Sequence, residues 1–168
     1  VIMGGAFLRT THALSMPGEF NIWIDPEAAA IVLNSGAPLR FIGLDVTLQV
    51  QLNRADADRL QSTGRPFASY AGECAHAWID YLRAAYPGRG YVSAPMHDPL
   101  AVAVVSRPQL VTWRPARVQV EYCSPITRGV TVADLLGERH PPEPNCLVAT
   151  EVDSASFIDF FLNHVYSL

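Results

Sequence analysis

The hydrophobic and polar positions switch repeatedly between a two-residue and a helical period along the chain. Residues 1–6 open with Val-Ile-Met and predict a short strand, stopped by Gly4-Gly5. Residues 7–21, with Pro17 and Gly18, predict a loop. Asp25-Pro26-Glu27 predicts a helix start, with Asp at the N-cap, Pro at the first helical position and an acid in the first turn. That helix runs to Leu33 and stops near Gly36. Residues 39–44 predict a second strand, ending at Asp45. Asn53 is placed to cap a helix over 54–62. A longer helix is expected over 66–85, with Phe67, Tyr70, Cys74, Ala77, Trp78, Tyr81 and Leu82 at helical spacing and Pro87-Gly88 ending it.

His97-Asp98-Pro99 opens a short apolar helix reaching Val105. Residues 111–113, 118–122 and 127–132 read as strands of a meander. Residues 147–151 form a last strand, and Ser154 caps a final amphipathic helix carrying Phe157, Ile158, Phe161, Leu162 and Val165. Alternation of strand and helix over the first hundred residues predicts an α/β fold. No linker divides the chain, so residues 1–168 are read as one unit. In open α/β sheets ligands sit outside the carboxyl ends of the strands. Those ends hold Gly4-Gly5, Asp45 and the segment leading to His97.

Composition narrows the function classes. With 49% hydrophobic and 17% charged residues, the 168-residue chain reads as globular. A net charge of -4 argues against nonspecific nucleic-acid binding, which needs basic groups to neutralise phosphates. No apolar run approaches the ~20 residues that span a bilayer, and no secretory signal opens the chain. The three cysteines, Cys74, Cys123 and Cys146, lack metal or redox spacing and are read as reduced thiols of a cytoplasmic protein. The chain begins at Val1 with an apolar strand that wants neighbours on both sides, which leads to the expectation of a larger fold entered in its middle.

Three segments carry candidate chemistry: Glu19-Phe20-Asn21, Gly43-Leu44-Asp45-Val46-Thr47 and Met96-His97-Asp98-Pro99-Leu100-Ala101. Together with Met-Gly-Gly-Ala at 3–6 and Asp-Pro-Glu-Ala-Ala at 25–29, in this order, they resemble the nucleoside hydrolase family. The likeness is dense over residues 1–105 and loose thereafter. It is a likeness to the C-terminal half of an inosine/uridine-preferring type enzyme. It implies an open, mostly parallel sheet with flanking helices, incomplete on its own. It also implies hydrolysis of the N-glycosidic bond of ribonucleosides to base and ribose. The implied cofactor is Ca2+, held by aspartates, and the implied partners are a ribonucleoside, an N-terminal half and further copies in a homo-oligomer. Neither nucleic acid nor membrane is implied.

The resemblance gives each residue a role, beside which a plainer one stands. Asp98 would be a calcium ligand, as a hard oxygen donor suits that ion, or else only the helix N-cap before Pro99. His97 would lie beside the leaving base or ribose as catalytic and substrate-binding group, or else be an inert hydrogen-bonded histidine. Glu19 and Asn21 would bind ribose hydroxyls, or else be loop polarity. Asp45 would support the pocket or else accept backbone N–H groups in the turn that follows it, and is read as structural; Trp23, Trp78 and Trp113 would stack on a base or else belong to the core, and are read as core.

The chain also departs from the family. The aspartate-rich Asp-Thr-Asp-Pro-Gly-x-Asp-Asp run, which supplies the other calcium carboxylates, has no counterpart here. Ala13, in His12-Ala13-Leu14-Ser15-Met16, stands where a ribose-holding asparagine is expected, and Leu48 where histidine is usual. These departures keep a second reading open, a non-catalytic nucleoside- or ribose-binding module.

Overall fold

Pairing between distant segments decides the architecture. A computed structural model of the chain describes residues 1–8, 15–137 and 139–168. In the first half stand β1 (Ile2–Met3), α1 (Phe20–Ile24), α2 (Pro26–Leu33), β2 (Leu39–Ile42), α3 (Leu44–Thr47), β3 (Gln51–Asn53) and α4 (Arg54–Gln61). There follow α5 (Pro66–Ala85), β4 (Ser93–Pro95), α6 (His97–Ser106), β5 (Val111–Ala116), β6 (Val118–Val120), β7 (Thr131–Ala133), β8 (Cys146–Val152) and α7 (Ser154–Ser167).

The main sheet has the order β1-β2-β8-β5. Its β1–β2 and β2–β8 pairs are parallel, and β5 joins β8 antiparallel. Two small antiparallel pairs, β3–β4 and β6–β7, lie outside it. The sheet is mostly parallel with flanking helices, as the sequence led one to expect. Strand pleating sends successive side chains to opposite faces. Ile42 and Ala149 join one core with Leu100, Val104, Phe157 and Leu162, while Phe41 and Val148 join a second with Ile22, Leu33 and Val118.

The helix starts legible in the sequence are made by the expected atoms. The Ala28 N–H donates to Asp25 Oδ1 at 2.9 Å. Asn53 and Asp56 form a reciprocal capping box at 3.0 and 3.3 Å, which closes the N-terminus of α4.

Five expectations are corrected. The stretch read as loop over 7–21 contains the start of α1, because the Glu19 carboxylate caps it. The second strand ends at Ile42, where Gly43 turns the chain into α3. The meander forms only in part: β6 and β7 pair antiparallel as expected, but β5 extends to Ala116 and pairs with β8, not with β6. Local alternation marks a strand but not its partner. The cap of α7 is Asp153, whose carboxylate accepts the Ser156 N–H at 3.0 Å, and not Ser154.

The fifth correction concerns α5. Phe67, Tyr70, Cys74, Trp78 and Tyr81 are exposed, so Trp78 is not core. The buried face of α5 is Ala68, Gly72, Ile79 and Leu82. A Cβ on Gly72 would sit 2.6 Å from the Ala57 carbonyl oxygen, so α4 and α5 approach on small residues and leave no room for rings. Trp23 and Trp113 are partly buried. No helix among the described residues is long and apolar enough to cross a membrane.

Candidate active site

The carboxyl ends of β1 and β2 lead into the segment Gly4–Leu8 and the Gly43 turn. The two connections lock together. Gly4 N–H donates to the Ile42 carbonyl at 3.1 Å, and Leu44 N–H to the Gly5 carbonyl at 2.9 Å. Close approach demands glycine: a Cβ on Gly43 would sit 2.8 Å from the Gly5 oxygen. Gly5 has φ +81, and a Cβ there would meet the Phe7 ring at 2.6 Å.

Side chains from three other elements then hold the N–H groups that follow. Gly5 N–H donates to Glu19 Oε2 at 3.0 Å. Ala6 N–H donates to Thr131 Oγ1 at 3.0 Å, and that hydroxyl donates to the Ala6 carbonyl at 2.8 Å. Phe7 and Leu8 N–H donate to the two Asp45 oxygens at 2.6 and 3.0 Å. Asp45 is buried, and the N–H groups it holds belong to the distant Phe7 and Leu8. It holds backbone N–H groups, as read from sequence, but those of the segment after β1 and not those of the turn that follows it.

Glu19 is 4% exposed. Besides Gly5, its carboxylate accepts Asn21 N–H at 2.8 Å and Ile22 N–H at 3.2 Å. Three backbone donors thus fix Glu19, and with it the first turn of α1. Asn21 is exposed in that turn, and its Nδ2 reaches the Met3 carbonyl oxygen and the Met3 sulfur, each at 3.2 Å. Its side-chain oxygen carries no hydrogen bond among the described residues.

His97 and Asp98 open α6, which packs against β1 and α3. The N-cap is Met96, and no side chain caps this helix. The plainer role considered for Asp98, an N-cap, is therefore not the one it plays. Its carboxylate is exposed and makes no hydrogen bond among the described residues. His97 is partly buried, and its Nδ1 lies 2.7 Å from Thr47 Oγ1, the wholly buried last residue of α3. Burial pushes the imidazole below its ordinary value, and the neighbouring Asp98 carboxylate partly opposes this.

The fold thus gathers three of the sequence-predicted groups at one sheet end. Glu19 and Asn21 are tied to the end of β1, and His97 is tied through Thr47 to the helix that follows β2. Sequence reading missed Thr47 as a partner of His97, and no pattern relates positions 50 residues apart. The departure at His12 and Ala13 lies outside the described residues. Leu48 is exposed at the end of α3.

Metal donors are sparse. Among the described residues no group of three or more His, Cys, Asp or Glu side chains is placed to hold a metal ion. Calcium takes 6–8 oxygens, and one carboxylate supplies at most two. Asp98 fits as a single ligand, being exposed and free of capping duty; the rest of a calcium shell is not in these residues. A surface depression of about 320 Å³ between α2 and β6, lined in part by Asn34, Val120 and Cys123, contains none of the candidate residues.

Comparison with known proteins bears on this arrangement. The family model described as inosine-uridine preferring nucleoside hydrolase matches residues 1–159. The pyrimidine-specific ribonucleoside hydrolase RihA of Salmonella gallinarum is 38% identical over 162 residues, covering 95% of this chain and 50% of its own length. The purine-preferring ribonucleoside hydrolase from Gardnerella vaginalis superposes with a TM-score of 0.81 at 33% identity, over 98% of this chain and 51% of that one. The plant nucleoside hydrolase PpNRh1 gives a TM-score of 0.85 at 26% identity, over 99% of this chain and 52% of that one. The chain spans about half the length of the curated relatives it matches.

Proposed function

The chain belongs to the inosine-uridine preferring nucleoside hydrolase family, and on that basis we propose that it forms the C-terminal portion of an enzyme that hydrolyses the N-glycosidic bond of ribonucleosides. One observation carries the reading. His97 and Asp98 stand side by side at the start of α6, which packs against β1 and α3, with the histidine held and the aspartate free of capping. The relatives named above include pyrimidine-specific and purine-preferring enzymes, so the substrate is proposed as a ribonucleoside without choice of base.

Cleaving this bond builds positive character on the ribose and negative charge on the departing base. His97 would face the base and supply a hydrogen bond or proton to it. Asn21 would present its side-chain oxygen to ribose hydroxyls. Glu19 has its carboxylate committed to three N–H groups, with a remaining lone pair on Oε1 for a sugar hydroxyl. Asp98 would contribute one carboxylate to a calcium ion, the remaining donors coming from an aspartate-rich N-terminal half on a separate chain or segment. Such an ion, when bound, would orient the sugar and polarise its oxygen ligands. A homo-oligomeric, cytoplasmic enzyme is part of the same proposal.

A single observation favours the other reading, a nucleoside- or ribose-binding module without turnover: three metal donors do not cluster among the described residues. The two are separated by assaying the chain with and without an added N-terminal half, measuring ribose released from inosine and from uridine. Calcium-dependent release by the pair supports the hydrolase. Nucleoside binding with no release at any calcium concentration supports the module instead.

A further inference from the structure

The Thr47 hydroxyl has one hydrogen-bond partner among the described residues, His97 Nδ1 at 2.7 Å. Its position is set by main chain. The Thr47 N–H donates to the Gly43 carbonyl at 3.1 Å, and the Thr47 carbonyl accepts from Val50 N–H at 3.3 Å. The residue is wholly buried, so its hydroxyl proton has no water to turn to. Leaving a buried donor unmade costs more than a hydrogen bond contributes. A hydroxyl oxygen left with a free lone pair is the smaller loss, since acceptors tolerate partial satisfaction. The imidazole nitrogen is therefore the acceptor for the threonine proton. A neutral imidazole carries one N–H, and a nitrogen that accepts cannot also hold the proton.

We propose that Thr47 is a positioning residue that donates its hydroxyl proton to His97 Nδ1 and so fixes the ring proton on Nε2. The proposal rests on the reading of His97 as the group that faces the leaving base. Nε2 has no hydrogen-bond partner among the described residues. With its proton fixed there, the neutral ring presents a donor, which is what a departing base requires. The opposite tautomer would present only a lone pair. Gly-Leu-Asp-Val-Thr at 43–47 thereby does two jobs through one short helix. Asp45 holds the backbone of Phe7 and Leu8, and Thr47 orients the histidine of α6.

The test is nitrogen NMR of the histidine rings in the full chain labelled with 15N-histidine, above about pH 8 where the ring is neutral. Wild type, Thr47→Ser and Thr47→Val are compared. An Nε2–H ring at His97 in wild type and Thr47→Ser, and a mixture of tautomers in Thr47→Val, is the expected result. A wild-type ring protonated on Nδ1 overturns the proposal, as does a Thr47→Val ring still held wholly as Nε2–H. Thr47→Ser and the wild-type ring keep the test decisive should Thr47→Val fail to fold. In the assembled enzyme, Thr47→Val is expected to lower kcat about tenfold with KM unchanged and Thr47→Ser to restore it. An unchanged kcat, or an effect confined to KM, overturns the positioning role. The NMR result does not depend on turnover. A complete assembly with an Nε2–H ring that cleaves no nucleoside refutes the hydrolase reading while supporting the hydrogen-bond assignment.

Discussion

Glu19 Oε2 accepts the Gly5 N–H at 3.0 Å, joining the cap of α1 to the segment that leaves β1. The same carboxylate accepts two N–H groups of α1, so a single side chain sets the angle between strand end and helix. Glu19→Gln replaces one accepting oxygen by an amide that must face a donor. The substitution is expected to destabilise the fold by on the order of 2 kcal/mol, read as a lowered urea midpoint. An unchanged midpoint would mean that the carboxylate does not hold the turn.

Gly5 and Gly36 separate two costs. Both have positive φ, at +81 and +75, but a Cβ meets the Phe7 ring only at Gly5 and finds open space at Gly36. Gly36→Ala should therefore show backbone strain alone, about 1 kcal/mol, and Gly5→Ala clearly more. Chemical denaturation of the two variants side by side checks the order. Equal losses would remove the steric part of the account.

Asp98 is exposed and caps nothing, although its negative charge sits in the first turn of α6. Asp98→Asn is expected to change stability by less than about 1 kcal/mol, the size of a helix-dipole effect. Calcium affinity of the assembled enzyme, measured by titration calorimetry, should fall severalfold or more, because a charged hard ligand becomes neutral. A large stability loss with calcium binding intact would assign the residue to the fold instead.

Cys146 is buried, and burial pushes its thiol up to about 11, while Cys74 and Cys123 are exposed. A thiol-specific reagent at about pH 8 should therefore titrate Cys74 and Cys123 in the native protein and reach Cys146 only on unfolding. The sign for stability follows from the same shift. The folded-state value lies above the ordinary 9.0, so between 9.0 and about 11 the unfolded chain has lost the proton that the folded one keeps. Stability attributable to Cys146 is thus full below 9.0 and declines as pH rises through that window. Its decline should disappear in Cys146→Ala, measured as urea midpoint against pH.

Local chemistry was legible wherever neighbours in sequence are also partners. Asp25 caps α2 and Asn53 caps α4, because a cap needs only residues three positions on. The 66–85 helix was legible in extent but not in orientation. Its aromatic residues follow a helical period, yet Ala68 and Gly72 are the buried ones and Gly72 lies against Ala57 of α4, since backbone proximity there selects a small residue. No one-dimensional pattern ranks a ring below a missing side chain in this way.

The sequence by itself determined the family, the mostly parallel α/β class and the candidates Glu19, Asn21, His97 and Asp98. Short motifs in order carry that information without geometry. Only the tertiary structure decided what each atom is bonded to. Pairing of β5 with β8, the grip of Asp45 and Thr131 on the segment after β1, and the contact of Thr47 with His97 join residues far apart in sequence. Such contacts depend on how strands stack and helices dock. They appear only once burial has removed water as the competing hydrogen-bond partner and each buried donor must find an acceptor within the fold.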